Sequence, residues 1–217
     1  MIRLIDDPHE RTTAATDLLI SAVALAEFAA LRRRHAHDPR KVDLWGGVFA
    51  TLAGSGVLGA VAHGLALSER RRRLIWHPLY LALGATVALF AAAAAYDGWG
   101  RKVSTRLLGP LLACGLLTYF ISHKRNDFRV FLVYEAAAML CALGIYGNLV
   151  RGGRLAGAEL MFAGVLITII AAGVQASGAK ATIAGIPFDH NGLFHLVQLA
   201  GLPLLGAGLR AALPTTP

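Results

Sequence analysis

The feature that most constrains this chain is a series of apolar runs, each about 20 residues long, separated by short charged clusters. A helix rises about 1.5 Å per residue, so a run of that length crosses the roughly 30 Å hydrocarbon core of a bilayer. The runs are too long for barrel strands, and they lack the alternation of polar and apolar residues that such strands show. They therefore predict helices that span a membrane.

Seven such spans can be counted, and they predict an all-α membrane protein that forms a single seven-helix transmembrane domain over residues 1–217. The spans cover roughly residues 13–31, 44–67, 77–98, 107–123, 130–150, 155–177 and 192–213. The longest links between them are residues 32–43 and 178–191. A 56% hydrophobic composition and a mean hydropathy of +0.56 agree with a membrane protein. The first residues are acidic, unlike a signal peptide, and we expect no cleavage there.

The net charge of +8 favours contact with lipid, because the basic residues stand at the ends of the apolar runs, as in "LRRRH" and "ERRRRL". Such clusters anchor helices near anionic lipid headgroups. No motif that combines aromatic and basic residues for nucleic acid is present, so we expect none as a partner. The 21 lysines and arginines divide as 10 and 11 between the two membrane faces. The positive-inside rule therefore does not decide the orientation.

Ionisable side chains inside membrane spans are costly to bury, so each one is a candidate for function. The seven-span topology brings Asp17, His63 and His195 to the face that carries the N-terminus, at a similar depth. Glu135, near the start of the fifth span, and Gln175, near the end of the sixth, lie on the same side. The sequence thus predicts one polar cluster near that face.

Helical spacing predicts which sides of these spans face inward. Gly56, Gly59 and His63 share one face of the second span, so His63 continues a stripe of small residues suited to close helix packing. In "FDHNGLFHLVQ", the side chains of Asn191, His195 and Gln198 follow one another at i, i+4 and i+7. They predict a polar stripe on the seventh span, with Asp189 and His190 in the link before it.

Two imidazoles and a carboxylate at one depth suit zinc, which takes His nitrogen and Asp oxygen in tetrahedral geometry. A catalytic zinc site lowers the pKa of its bound water, and a neighbouring Asp can accept the proton. Asp17, His63 and His195 therefore predict a catalytic metal site. Ser55 lies about two turns below His63 in the second span, where it either borders the same cavity or bonds a carbonyl of its own helix.

At these residues the chain resembles the seven-transmembrane superfamily of alkaline ceramidases, progestin and adipoQ receptors and Per1-like proteins. The phrase "TTAATDLL…AHG…FDHNGLFHLVQ" is also similar to that of bacterial membrane proteins on the same plan. The resemblance implies zinc bound by His63, His190 and His195, with Asp17 and Ser55 beside the metal-bound water. It also implies a bacterial inner (plasma) membrane location and a membrane lipid as partner or substrate.

The sequence departs from the family pattern in three places. His190 and His195 stand five residues apart where the family has four, which puts them about 140° apart on a continuous helix. Ser55 precedes His63 by eight residues where the family serine precedes its histidine by four. The family acid near the start of the third helix is absent, so Asp17 would replace it from the first helix.

Three functions remain open from these residues, beside a purely structural role in which the polar stripe serves helix packing. The first is a zinc-dependent intramembrane hydrolase of a lipid amide or ester, with Asn191, Gln198, Gln175 and Glu135 around the metal or the substrate. The second is a proton-coupled transporter or membrane sensor, with Asp17 and the histidines as the relay. The third is a b-type haem protein with His63 and His195 as axial ligands.

Overall fold

The computed structural model describes residues 3–35, 37–125 and 129–213, apart from the side chains of residues 123 and 125. Within this part of the chain the backbone forms seven helices and one β-hairpin. The elements are α1 (Pro8–Arg32), α2 (Pro39–Gly64), α3 (Glu69–Trp99), α4 (Arg101–Arg125), α5 (Arg129–Gly152), α6 (Ala158–Ala176), β1 (Ala181–Ile183), β2 (Ile186–Phe188) and α7 (His190–Ala212).

All seven helices of the described residues are long and apolar enough to cross a membrane, which makes this an integral membrane protein with the predicted all-α seven-helix fold. Each helix contains one of the predicted spans to within a few residues. The first helix is capped by Asp7, whose carboxylate accepts a hydrogen bond from the His9 N–H at 2.8 Å. Pro8 follows in the first turn, where its missing N–H costs nothing.

The link before the last helix contains a β-hairpin, where the sequence predicts only a polar connection. Strands β1 and β2 pair antiparallel, with Ile183 opposite Ile186. The two residues between them, Ala184 and Gly185, both have positive φ, at 50° and 80°, as a type I′ turn requires. The Thr12 hydroxyl donates to the Pro187 carbonyl at 2.7 Å, so the hairpin is fastened to the start of α1.

Six of the seven helices form a closed ring in the order α1, α2, α3, α5, α6, α7, with α7 packed back against α1. Helix α4 lies outside this ring against α3 and α5. Towards the second face the ring is filled by large side chains such as Trp45, which is fully buried and meets Phe90 edge-on with the ring centroids 5.6 Å apart. Towards the face with the N-terminus the ring encloses a cavity.

Glycines let neighbouring helices approach closely at two crossings. A Cβ at Gly84 of α3 would lie 3.1 Å from the Gly115 carbonyl oxygen of α4, and one at Gly164 of α6 would lie 3.0 Å from the Gly201 carbonyl oxygen of α7. Larger side chains at these positions would separate the helices. This agrees with the general use of small residues at helix contacts in membranes.

Candidate functional site

The candidate site is the cavity inside the ring, which has a volume of about 360 Å³. That size is within the range of small-molecule sites in proteins. Most of the wall surface is apolar, with Leu and Phe the most frequent side chains, and no described side chain of α4 lines it. Eight of the nine predicted site residues line this cavity: Asp17, Ser55, His63, Glu135, Gln175, Asn191, His195 and Gln198.

Asp17 and His195 form the central polar contact of the cavity. The Nε2 atom of His195 lies 3.4 Å from Asp17 Oδ1, and the residues are only 9% and 6% exposed. The other ring nitrogen, Nδ1, lies 2.9 Å from the Thr16 hydroxyl. Because a hydroxyl either donates or accepts, Thr16 can hold the imidazole with its proton on either nitrogen. The arrangement suits an imidazole that passes a proton from one side to the other.

The second carboxylate oxygen of Asp17, Oδ2, has no hydrogen-bond partner among the described residues, and neither has Oε1 of Gln198. Both side chains line the cavity. A buried carboxylate surrounded by apolar side chains must be compensated by a proton or by a cation. The cavity wall thus carries hydrogen-bond acceptors whose partner must be a proton or a molecule inside the cavity.

Glycines in α2 make room for the Asp17 carboxylate. A Cβ at Gly59 would lie 2.7 Å from both of its oxygens, and a Cβ at Gly56 would lie 2.7 Å from the Asp17 backbone oxygen. Ser21, one turn further along α1, donates to the Ala53 carbonyl at 2.9 Å and fixes the same crossing. The small-residue stripe predicted from the sequence is therefore the surface on which Asp17 rests.

His63 is held in place by partners on two other helices. Its Nδ1 lies 2.6 Å from Glu10 Oε2, and its ring meets Trp76 of α3 edge-on at 5.6 Å between centroids. Residue spacing within the helices does not predict the pairing of His63 with Glu10. The topology does bring the two residues to the same side, because the start of α1 and the end of α2 lie on one membrane face.

Polar contacts join α1, α6 and α7 at the end of the cavity nearest the N-terminal face. The Gln175 amide donates to Asn191 Oδ1 at 3.0 Å. Asp189 caps α7 by accepting from the Gly192 N–H at 2.8 Å, and it also accepts from the Thr13 hydroxyl at 2.8 Å. Burial on its own would raise the pKa of Asp189, but these two hydrogen bonds, together with the nearby imidazoles of His190 and His63, outweigh it and the pKa is lowered.

Ser55 and Glu135 line the cavity in different ways. The Ser55 hydroxyl donates to the Thr51 carbonyl at 2.8 Å, which is the bond within its own helix that the sequence analysis left open. Glu135 of α5 makes no hydrogen bond or ion pair with any residue that the structure describes. Its carboxylate therefore remains available to a group inside the cavity.

The ligand set that the family resemblance implies is not assembled. His190 is the first residue of α7 and does not line the cavity. Across residues 3–35, 37–125 and 129–213, no three His, Cys, Asp or Glu side chains lie close enough to hold one metal ion. Since zinc in proteins takes at least three protein ligands, these side chains do not fit a zinc site as they stand. Zinc stays a prediction from the sequence.

A second buried polar cluster lies near the opposite face, and the sequence analysis did not find it. Lys41 Nζ of α2 lies 2.7 Å from Asp97 Oδ1 of α3, and the two side chains are 5% and 1% exposed. The Tyr146 hydroxyl of α5 donates to Asp97 Oδ2 at 2.8 Å. The sequence places Lys41 near the start of one span and Asp97 at the end of the next, which are adjacent positions in an antiparallel helix pair.

One comparison with known proteins gave a match. The model of a family of unknown function, DUF6962, matches residues 12–214. The chain belongs to this family. The matched range runs from α1 to just beyond α7, so it includes every helix that lines the cavity. Comparisons with curated proteins and with solved structures gave no match.

Proposed function

We propose that this protein is a proton-linked transporter or sensor that binds an amphiphilic small molecule inside its helix ring. The observation that carries the proposal is the buried Asp17–His195 contact in the wall of a largely apolar cavity. The apolar wall suits the hydrophobic part of a ligand, and the polar end suits its headgroup. The same polar end holds an exchangeable proton, so that binding and protonation influence each other.

The zinc hydrolase remains the alternative that the sequence resemblance suggests. It requires a third metal ligand beside His63 and His195, and no metal-binding group of three is found among the described residues. No step of the proposed function goes through a metal. Zinc near one equivalent per chain in the purified protein, bound tightly enough to survive dialysis, would contradict the proton-linked proposal and favour the hydrolase.

Infrared spectroscopy of the protein in vesicles tests the proton site. A step in pH should produce a carboxylic-acid band in the wild type. Asp17→Asn should remove this band, because the variant has no carboxylate to share a proton with His195. Glu159→Gln is the matched control, since Glu159 is an exposed acid on α6 and its loss should leave that band unchanged. A wild-type band that survives in Asp17→Asn would contradict the proposal.

The ligand part of the proposal is tested by filling the cavity. Leu83→Trp places a large side chain in the wall, whereas Leu117→Trp alters an exposed position of α4 outside the ring. Mass spectrometry of gently purified protein should find a bound amphiphile with the wild type and with Leu117→Trp, and lose it with Leu83→Trp. Equal retention by all three proteins would place the molecule outside the cavity.

A further inference from the structure

We infer that the ligand of this cavity is a lipophilic amine that binds as its ammonium ion. The inference rests on the proposed function and deepens it by naming the class of ligand. It follows from the charges of the wall, from the hydrogen-bonding atoms left open in it, and from the apolar and aromatic surface around them.

The first observation is the charge of the wall. The cavity is lined by two carboxylates, Asp17 and Glu135, and by two imidazoles, His63 and His195. No Lys or Arg of the described residues lines it. Because His63 is already paired with Glu10, the described lining offers acids that can become negative but no permanent positive charge. A phosphate or carboxylate headgroup would meet no fixed positive charge here, and burying it would be costly.

The second observation is the type of atom left without a partner. Asp17 Oδ2 and Gln198 Oε1 are both hydrogen-bond acceptors, and both belong to side chains that are more than nine-tenths buried. The Glu135 carboxylate adds a further acceptor group. An ammonium group carries donors and no acceptor, as the Lys side chain does, and it brings the positive charge that an unpaired carboxylate needs.

The third observation is the rest of the wall. The aromatic side chains Trp76, Tyr80, Phe90, Phe131 and Phe194 line the cavity together with aliphatic residues. Aromatic faces attract ammonium ions, and aliphatic walls hold hydrocarbon. An alkyl or aryl amine satisfies both kinds of surface. Its charge also gives the link to protons, because an ammonium ion beside Asp17 releases the proton that compensates this carboxylate in the ligand-free state.

The test uses three probes with the same twelve-carbon chain: dodecylamine, dodecanol and dodecanoate. Binding of tritiated dodecylamine to the full-length protein in nanodiscs is measured by scintillation proximity, with each unlabelled probe as competitor. We expect dodecylamine to compete at least tenfold better than the alcohol or the acid. That ratio corresponds to one charged hydrogen bond or contact in a buried site.

Variants locate the contact. Asp17→Asn and Glu135→Gln should each weaken dodecylamine binding about tenfold, whereas Glu159→Gln, an exposed acid on α6, should leave it unchanged. Folding of each variant is checked by its elution as a single species in detergent. A variant that fails this check is replaced by Gln198→Leu, which removes an unpaired acceptor without removing a charge.

The outcomes separate the two proposals. If dodecanol or dodecanoate competes as well as the amine, the amine inference is overturned and the amphiphile-binding function stands. If no probe binds while the infrared band of Asp17 is present, the inference is overturned and the proton site stands. If the amine binds equally to all the charge variants, the ammonium does not contact these carboxylates, and the inference is overturned as well.

Discussion

At the scale of single residues, the cavity depends on glycine where α2 meets Asp17. A Cβ at Gly59 would lie 2.7 Å from the Asp17 carboxylate oxygens, so Gly59→Ala must displace the carboxylate or separate the helices. Overpacking of this kind costs on the order of 1–3 kcal/mol.

We therefore expect Gly59→Ala to destabilise the protein by about that amount and to weaken proton binding at Asp17. Gly54→Ala in the same helix is the control, because nothing lies within 4 Å of the added Cβ. Unfolding in mixed micelles of increasing dodecyl sulfate content measures the stability of both variants. The carboxylic-acid infrared band measures proton binding at Asp17. Equal stability of the two variants would show that the α1–α2 crossing accommodates a Cβ at Gly59 without strain.

Asp189 gives a residue-scale prediction about pH. Its hydrogen bonds with Gly192 and Thr13 favour the ionised form and lower its pKa below the ordinary value. A group with a lowered pKa in the folded state contributes stability above its ordinary pKa, and this contribution is lost as the pH falls through the lowered value.

At neutral pH, Asp189→Ala should therefore cost about 1 kcal/mol as a lost helix cap, and the difference from the wild type should shrink in acid. Thermal unfolding between neutral pH and pH values below the ordinary aspartate range measures this. Asp6→Asn is the control, because the Asp6 side chain is 87% exposed. A difference that grows in acid would contradict the assignment.

At the scale of elements, the Lys41–Asp97 pair joins the start of α2 to the end of α3 away from the cavity. Removing one partner of a buried ion pair leaves an uncompensated charge, which costs about 3–5 kcal/mol, whereas removing both costs much less. We expect Lys41→Met to lower the free energy of unfolding by that amount and Lys41→Met/Asp97→Leu to recover most of it.

The exposed pair of Arg73 and Glu69 is the control for this double-mutant cycle. Arg73→Met should leave unfolding almost unchanged, because water screens exposed ion pairs. Additive losses in the Lys41 and Asp97 variants would mean that the two side chains act independently.

At the scale of the whole molecule, the orientation in the membrane is open, because the basic residues divide evenly between the two membrane faces. The order of the helices nevertheless determines which loops lie on the same membrane face. Ser68 before α3 and Thr182 in the hairpin lie on the N-terminal face, and Arg154 before α6 lies on the other. Cysteines introduced at Ser68 and Thr182 should react with an impermeant maleimide from the same side of the membrane.

A cysteine at Arg154 should react from the opposite side. The experiment is done after Cys114 and Cys141, which are both exposed on the helices, have been replaced by Ser. Labelling of Thr182→Cys and Arg154→Cys from one side would contradict the seven-span topology. The result also shows which side of the membrane is nearer to the polar end of the cavity.

The seven helices and the depth of the polar residues follow from the sequence alone, because apolar length and helical rise are local properties. Helical spacing likewise determined that Gly59, His195 and Gln198 face inward. The partners of the polar side chains are known only from the packed helices: Glu10 for His63, Thr16 and Asp17 for His195, and Lys41 for Asp97. Such contacts depend on how the helices are arranged around the ring, and residue spacing within one helix carries no information about the side chains of another.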